Sequence, residues 1–274
     1  SYTKLSAHMS ESTFQKQSKN STKDVFHQDL VEKAKKLRRD TFNAFVAHGE
    51  AHLGGSFSII EMLLTLYEKV LKAEDKFILS KAHASFPFCL LLQEKGLNPK
   101  LTTHLEIDPM NGIHCTTGSL GHGLPLATGM ALGKKLQKKS GKIFVMISDG
   151  ECQEGTTWES LLIAASHKLD NLVAIVDYNK IQALSPIDEV LPLENLAAKF
   201  KAFNWACTEI NDGHSFAQLI PALQQNNTTL KPKVFIVHTT KGKGVKAFEN
   251  DSAWHARKIK GEELEIGKKE LGIE

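Results

Sequence analysis

Little in this sequence is available for cross-linking, membrane spanning or charge-driven wrapping. Only four cysteines occur among 274 residues, Cys89, Cys115, Cys152 and Cys207. They lie far apart with no C-x-x-C pair, which argues against a disulfide framework and a zinc site and suits a reducing cytoplasm. No apolar run approaches the roughly 18 residues of a membrane span, and the first residues lack the apolar core of a signal peptide. An excess of one charge is missing too. Thirty-four Lys and Arg against 31 Asp and Glu leave a net charge of +3, too small to imply a polyanion partner. The basic residues are not interleaved with aromatics as a nucleic-acid groove requires. The cluster "EKAKKLRR" (32–39) falls in a helical pattern and reads as a solvated face. No internal repeat is present.

What is present is an ordinary globular composition, 41% hydrophobic and 24% charged. The chain opens "SYTKLSAHM" without an initiating Met, so its first residues read as a cloning remnant ahead of a native start at Met9. The polar, Ser-, Lys- and Gln-rich stretch extends this into an arm over residues 1–24 that is expected to be disordered. Residues 25–274 are expected to form one domain. From Val25 to Val46 the apolar spacing predicts an amphipathic helix. "GGSFSIIEMLLTLYEKVLKA" reads as a turn and a second helix, with Ser58 and Glu61 at capping-box spacing. "KFILS" (76–80) predicts a strand, and "ASFPFCLLLQEKG" a helix stopped by Gly96. A long connection follows over residues 97–117, of the kind that is functional or disordered. Then "GSLGHGLPLATGMALGKKLQKK" feeds a glycine-rich turn into a helix, with Pro125 in the first turn.

The middle is clearest. "KIFVMI" and "LVAIVD" are near-continuous apolar runs suited to strands covered on both faces, and "TTWESLLIAASHKLD" between them has helical periodicity. "KVFIVHT" (233–239) adds another such strand after the helical "SFAQLIPALQQ". Strands alternating with helices predict an α/β fold, a doubly wound, mainly parallel sheet with helices on both faces.

Ligands of such sheets bind beyond the carboxyl ends of the strands. "SDGECQEG" (148–155) stands there, with Asp149 two residues past one strand and Asn179 two residues past the next. An aspartate and an amide oxygen are hard donors suited to Mg2+ or Ca2+, and magnesium fills its shell with water and phosphate oxygens. Gly150 lets the backbone approach a diphosphate. The competing local reading makes Asp149 the cap of a turn and Asn179 a left-handed turn residue.

The stretch "SDGECQEGTTWESLLIAASHKLDNLVAIVDYNKIQ" resembles the thiamine-diphosphate signature G-D-G followed about thirty residues later by N. More narrowly it resembles transketolase, as do "AHLGGSFS", "FILSKAHAS", "TTGSLGHGLPLATGMA" and "VHTTKGKGV", in that family's order. The resemblance implies a diphosphate-binding (PP) domain that binds thiamine diphosphate and Mg2+ or Ca2+. By it, Asp149 and Asn179 hold the metal through side chains and Ile181 through its carbonyl. Gly150 and Asn179 meet the diphosphate, and Gly118 and Leu120 line the aminopyrimidine pocket. His52 and His83 face the thiazolium and sugar hydroxyls, and His255 reaches diphosphate and substrate. His104 is a donor-contacting histidine, with His114 competing for that role. Glu154 and Glu159 resemble interface carboxylates that communicate between cofactors, although Glu159 also has capping-box spacing to Thr156. Glu151 is assigned only a turn position. Ser148 and His122 depart from the family's usual glycine and glutamine, and the loops near the acceptor entrance are shortened.

Transketolases continue into a pyrimidine-binding (Pyr) domain that supplies the activating glutamate. The resemblance therefore implies an N-terminal subunit completed by a separate C-terminal transketolase subunit as an α2β2 assembly, or else a piece of a longer chain. The implied reaction moves a two-carbon ketol unit from a ketose, free sugar or sugar phosphate, to an aldose. The alternatives are another thiamine-diphosphate enzyme subunit, of deoxyxylulose-phosphate synthase or 2-oxoacid dehydrogenase type, and a non-catalytic scaffold.

Overall fold

The computed structural model describes residues 27–49, 52–183 and 185–274. The expectations for the arm over residues 1–24, for a start at Met9 and for a helix beginning at Val25 lie outside those residues. Strands β1 (Lys76–Leu79), β2 (Ile143–Ser148), β3 (Leu172–Tyr178), β4 (Ala206–Ile210) and β5 (Lys233–His238) form one parallel sheet in the order β1-β2-β3-β5-β4.

Successive residues of a strand point to opposite faces, and here both faces are dry. Phe144 and Met146 of β2, Val173 and Ile175 of β3, and Phe235 and Val237 of β5 enter one core. Their neighbours Val145 and Ile147, Ala174 and Val176, and Val234 and Ile236 enter the other. Two cores, one on each side, explain why these strands read as unbroken apolar runs.

Helices α1 (Gln28–His48), α2 (Leu53–Phe57), α3 (Ile60–Thr65) and α4 (Ser85–Glu94) supply the first core. Helices α5 (Gly123–Leu136), α6 (Gly155–Ser166), α7 (Ile187–Val190) and α8 (Leu196–Ala202) supply the second. Helices α9 (Phe216–Leu223) and α10 (Glu262–Leu271) return to the first. The expected doubly wound arrangement is therefore present.

Several local expectations are corrected. The Gly54–Gly55 pair is not a turn but lies inside α2. The capping box at Ser58 does not form: Ser58 Oγ donates to the Gly55 carbonyl at 3.0 Å and to Asp177 at 2.7 Å. Glu61 instead pairs with Arg38 at 2.7 Å. Partners elsewhere in the fold, a buried carboxylate for Ser58 and a guanidinium for Glu61, offer these groups more than a local cap does. The capping box at Thr156 fails likewise, since Thr156 Oγ1 donates to the Gly121 carbonyl at 2.8 Å. The long connection over 97–117 is ordered by antiparallel bridges, Leu105 to Thr117 and Asp108 to Ile113. Strand β4 and helices α7, α8 and α10 were not foreseen. The strand "ACTEI" lies at the sheet edge and is mostly half-exposed, with Glu209 facing out, so it carries no apolar run.

Arg38 and Glu61 join α1 to α3 while each is 6% exposed. Burial alone pushes the Glu61 carboxyl up from its ordinary 4.5, but Arg38 and His214 outweigh it and hold the group at about 2. A carboxyl depressed on folding contributes stability above its unfolded value, and that contribution is lost as pH falls through the folded value. Glu61→Gln is expected to cost about 3 kcal/mol in urea unfolding at pH 7. The gap from wild type should narrow as pH falls from 4.5 towards about 2.

Candidate active site

The register sets the site. Ser148 pairs with Asp177 across β2 and β3, and Tyr178 pairs with His238 across β3 and β5. The residues that follow these pairs therefore emerge at one edge, around a cleft of about 390 Å³. Asp149, Gly150, Asn179, Ile181, Gly118, Leu120, His83 and His255 all line it. Glu154 also lines the cleft.

At the floor is a carboxylate that the sequence reading passed over as a strand end. Asp177 and Lys81 are both 0% exposed, and Lys81 Nζ lies 2.5 Å from Asp177 Oδ2. That oxygen also accepts from Ser58 Oγ and from Asn179 Nδ2 at 3.1 Å. Oδ1 accepts from Thr239 Oγ1 at 2.5 Å. Burial raises the Asp177 carboxyl, yet Lys81 and these hydrogen bonds bring it below its ordinary value. Because Nδ2 of Asn179 is committed to Asp177, Oδ1 is left as acceptor, and it takes the Ile181 N–H at 3.1 Å. The left-handed residue of this turn is Lys180, at φ +66°, not Asn179.

Asp149 caps the short turn after β2: Oδ1 accepts from Gly150 N–H at 2.8 Å, and Oδ2 accepts from Lys180 N–H at 2.7 Å. Burial first, and the Asp177 charge second, push its carboxyl up to about 7. A divalent cation would offset both effects. Among the described residues no three His, Cys, Asp or Glu side chains gather as a metal site. The groups here that could hold such a cation are hard oxygen donors, Asp149, the Asn179 amide and the Ile181 carbonyl. The Ile181 carbonyl also accepts from Lys241 Nζ at 3.0 Å.

Glu151 is not a plain turn residue. It is 0% exposed; Oε1 accepts from Ser80 Oγ and from Gly121 N–H at 3.0 Å, and Oε2 accepts from Ser148 N–H at 2.9 Å. It ties the end of β1, the glycine-rich loop and the end of β2 together. Burial raises its carboxyl despite these bonds.

The histidines form a triangle. Ring centroids of His52 and His83 are 5.8 Å apart, those of His52 and His255 5.8 Å, and those of His83 and His255 5.4 Å. Burial, then nearby Lys81, drives His83 well below its ordinary value. Burial, then Lys241, lowers His255 to about 4. Both imidazoles are neutral at pH 7 and can exchange protons with hydroxyls. Lys241 itself is lowered to about 8, by burial and then by Lys81. Glycines admit this crowding: a Cβ on Gly54 would lie 2.9 Å from the Lys241 side chain, and one on Gly55 3.0 Å from His83 Nε2.

His104 stands behind Gly118, where a Cβ would meet its ring at 2.5 Å. His114 feels Lys76, at the opposite end of β1, and burial lowers it to about 4. Of the two, His104 is next to the cleft. Glu159 is exposed on α6 and lines no part of it. Lys81, Asp177, Lys241 and Glu151 were missed. Their signal was present, since "SKAHA", "VDYN", "TTKGKG" and "DGECQEG" all carry the family resemblance, but for neighbouring residues.

Fold and site define a doubly wound α/β protein with a cleft beyond its strand ends, where ligands of such sheets bind. The chain belongs to the transketolase family: the family model described as "Transketolase, thiamine diphosphate binding domain" matches residues 26–274. It is 35% identical over 273 residues to an apulose-4-phosphate transketolase subunit of Actinobacillus succinogenes, covering 90% of this chain and 98% of that one. It is 34% identical over 253 residues to the 6-deoxy-6-sulfo-D-fructose transketolase subunit SqwG of a Clostridium species, covering 84% and 92%. The solved transketolase of Campylobacter jejuni is similar with a TM-score of 0.77 at 25% identity, covering 90% of this chain but 43% of that one. The chain thus spans nearly all of two relatives named as subunits and less than half of the C. jejuni chain.

Asp177→Asn leaves the Lys81 ammonium buried without its counter-charge, and is expected to lower stability by about 3–5 kcal/mol in chemical denaturation. Adding Lys81→Met should recover part of that loss; a double variant no more stable than Asp177→Asn contradicts the assignment.

Proposed function

We propose that this chain is the N-terminal, diphosphate-binding subunit of a transketolase that moves a two-carbon ketol unit from a ketose to an aldose. The observation that carries this reading is the convergence of Asp149, Gly150, Asn179, Ile181, His83 and His255 on one cleft, in a chain of the transketolase family. Thiamine diphosphate, when bound, supplies the chemistry that breaks and remakes the carbon–carbon bond.

The chain's own residues do the rest. Asp149 and Asn179, with the Ile181 carbonyl, hold Mg2+ or Ca2+. Gly150 admits the diphosphate close to the main chain. Gly118 and Leu120 line the aminopyrimidine end. Lys81 and Lys241, both in the cleft wall, offset negative charge. Neutral His83 and His255 exchange protons with sugar hydroxyls, with His52 packed against both and His104 reaching the donor from behind Gly118. Glu154, at the cleft rim, and Glu159, on the outer face of α6, are read as contacts to a second subunit.

The two relatives named as subunits support a separate partner, which is read as carrying the Pyr domain in an α2β2 complex. Their named substrates are an apulose phosphate and a sulfonated fructose, which supports an anionic sugar as substrate here. The four cysteines are free, which supports a reducing, cytoplasmic setting. No helix among the described residues is long and apolar enough to cross a membrane.

The purified chain should bind thiamine diphosphate weakly and turn over no ketose until the partner subunit is added; ketol transfer by the chain alone overturns the split reading. In the completed complex, Asp149→Ala should abolish metal-dependent thiamine diphosphate binding in calorimetry. Unchanged affinity refutes the metal role of Asp149.

A further inference from the structure

The loop after β5 carries Lys241 to the cleft wall, but much of what holds that loop lies on its far side. His214 Nε2 accepts from the Thr240 backbone N–H at 2.8 Å. Its Nδ1 lies 3.0 Å from Glu61 Oε2. A ring nitrogen that accepts carries no proton, so the proton sits on Nδ1 and is donated to Glu61. The other Glu61 oxygen accepts from the Arg38 guanidinium at 2.7 Å. Arg38 continues beneath the same loop: a Cβ on Gly244, at φ +104°, would lie 2.5 Å from Arg38 Cδ. Gly213 presses the segment bearing His214 onto the end of β5. Its N–H donates to the His238 carbonyl at 2.8 Å, and a Cβ there would lie 2.6 Å from Thr239 Cγ2.

One residue beyond Thr240, the Lys241 ammonium donates to the carbonyls of Ile181 at 3.0 Å and Gln182 at 3.1 Å. It stands 3.3 Å from His255 Nδ1. The main chain at Thr240 and the ammonium at Lys241 are therefore joined by a single residue's geometry. Moving the first moves the second against Ile181 and His255.

We infer that His214 is a positioning residue: the Arg38–Glu61–His214 relay holds the main chain at Thr240 so that Lys241 is presented to the cleft, and it thereby sets the affinity for a diphosphate ligand. The ligand part of this inference rests on the function proposed above; the relay does not. An uncharged acceptor could serve Thr240 equally well. What the relay adds is a fixed tautomer, because Glu61 can only accept from Nδ1 while Arg38 keeps it ionised. The position of Lys241 is thereby coupled to α1 and α3, neither of which lines the site through Arg38 or Glu61.

Two variants separate the parts. His214→Asn keeps a donor within reach of Glu61 but withdraws the acceptor from Thr240. His214→Gln puts an amide oxygen near the position of Nε2 and restores it. In the full chain with its partner subunit, His214→Asn should speed amide hydrogen exchange at Thr240 by about tenfold or more, the size of a lost buried hydrogen bond. It should weaken Mg2+–thiamine diphosphate binding in calorimetry by about tenfold, with kcat at saturating cofactor within about twofold of wild type. His214→Gln should recover part of the Thr240 protection and of the cofactor affinity, short of wild type because the bond from Nδ1 to Glu61 is lost.

Equal exchange at Thr240 in wild type and His214→Asn overturns the relay. Faster exchange with unchanged cofactor affinity overturns the positioning role. Faster exchange in a protein whose wild type binds no thiamine diphosphate leaves the relay standing and sinks the proposed function instead. Should His214→Asn fail to fold, the imidazole 15N shifts of the wild type decide: a proton on Nε2 overturns the relay, and a proton on Nδ1 supports it.

Discussion

The buried pair of Lys81 and Asp177 is the constraint on which the site depends. Two charges taken wholly out of water are costly, and are tolerated only where geometry and hydrogen bonds satisfy them. Here one carboxylate meets donors from four separate segments: Ser58 after α2, Lys81 after β1, Asn179 after β3 and Thr239 after β5. Drift of Lys81 leaves two charges unpaired in the interior, and drift of any of the other three leaves the buried carboxylate short of a hydrogen bond. The carboxyl ends of β1, β3 and β5 are therefore held at set positions, and the cleft is the space they enclose. Glu151 does the same for β2, joining Ser148 to Ser80 and to the glycine-rich loop through Gly121.

The second consequence is electrostatic. Lys81 and Lys241 crowd the histidine triangle, and their charge adds to burial in keeping His83 and His255 neutral. Neutral imidazoles suit proton exchange with hydroxyls, while the Lys241 ammonium suits an anionic ligand. The negative side of the balance is Asp177, permanently paired, and Asp149, whose carboxyl is lifted to about 7 by burial and by Asp177. The cleft thus places cationic lysines, neutral bases and a carboxylate that favours a cation within one volume. The arrangement depends on the close approach that glycine permits at Gly54 and Gly118, and on tight packing at Gly55.

Much of this was legible. The apolar runs of β2, β3 and β5 announced buried strands because both faces of the sheet are covered. The equal two-residue offsets of Asp149 and Asn179 announced a shared edge because parallel strands in register end together. What escaped were groups whose partners are distant in the chain. Ser58 and Glu61 looked like a helix cap because only three residues separate them; their partners, Asp177 and Arg38, lie 119 and 23 residues away. Strand β4 escaped because an edge strand need not be apolar.

The sequence by itself determined the alternation of strand and helix, the family motifs and the chemical kinds of group at the strand ends, since each of these is written in local pattern and spacing. Only the tertiary structure decided that Glu151 is a buried tie rather than a turn residue, that His104 and not His114 adjoins the cleft, and that Lys81, Asp177 and Lys241 surround it. Those are statements about which side chains share a small dry volume, and burial, hydrogen-bond partners and charge state follow from that volume, not from neighbours along the chain.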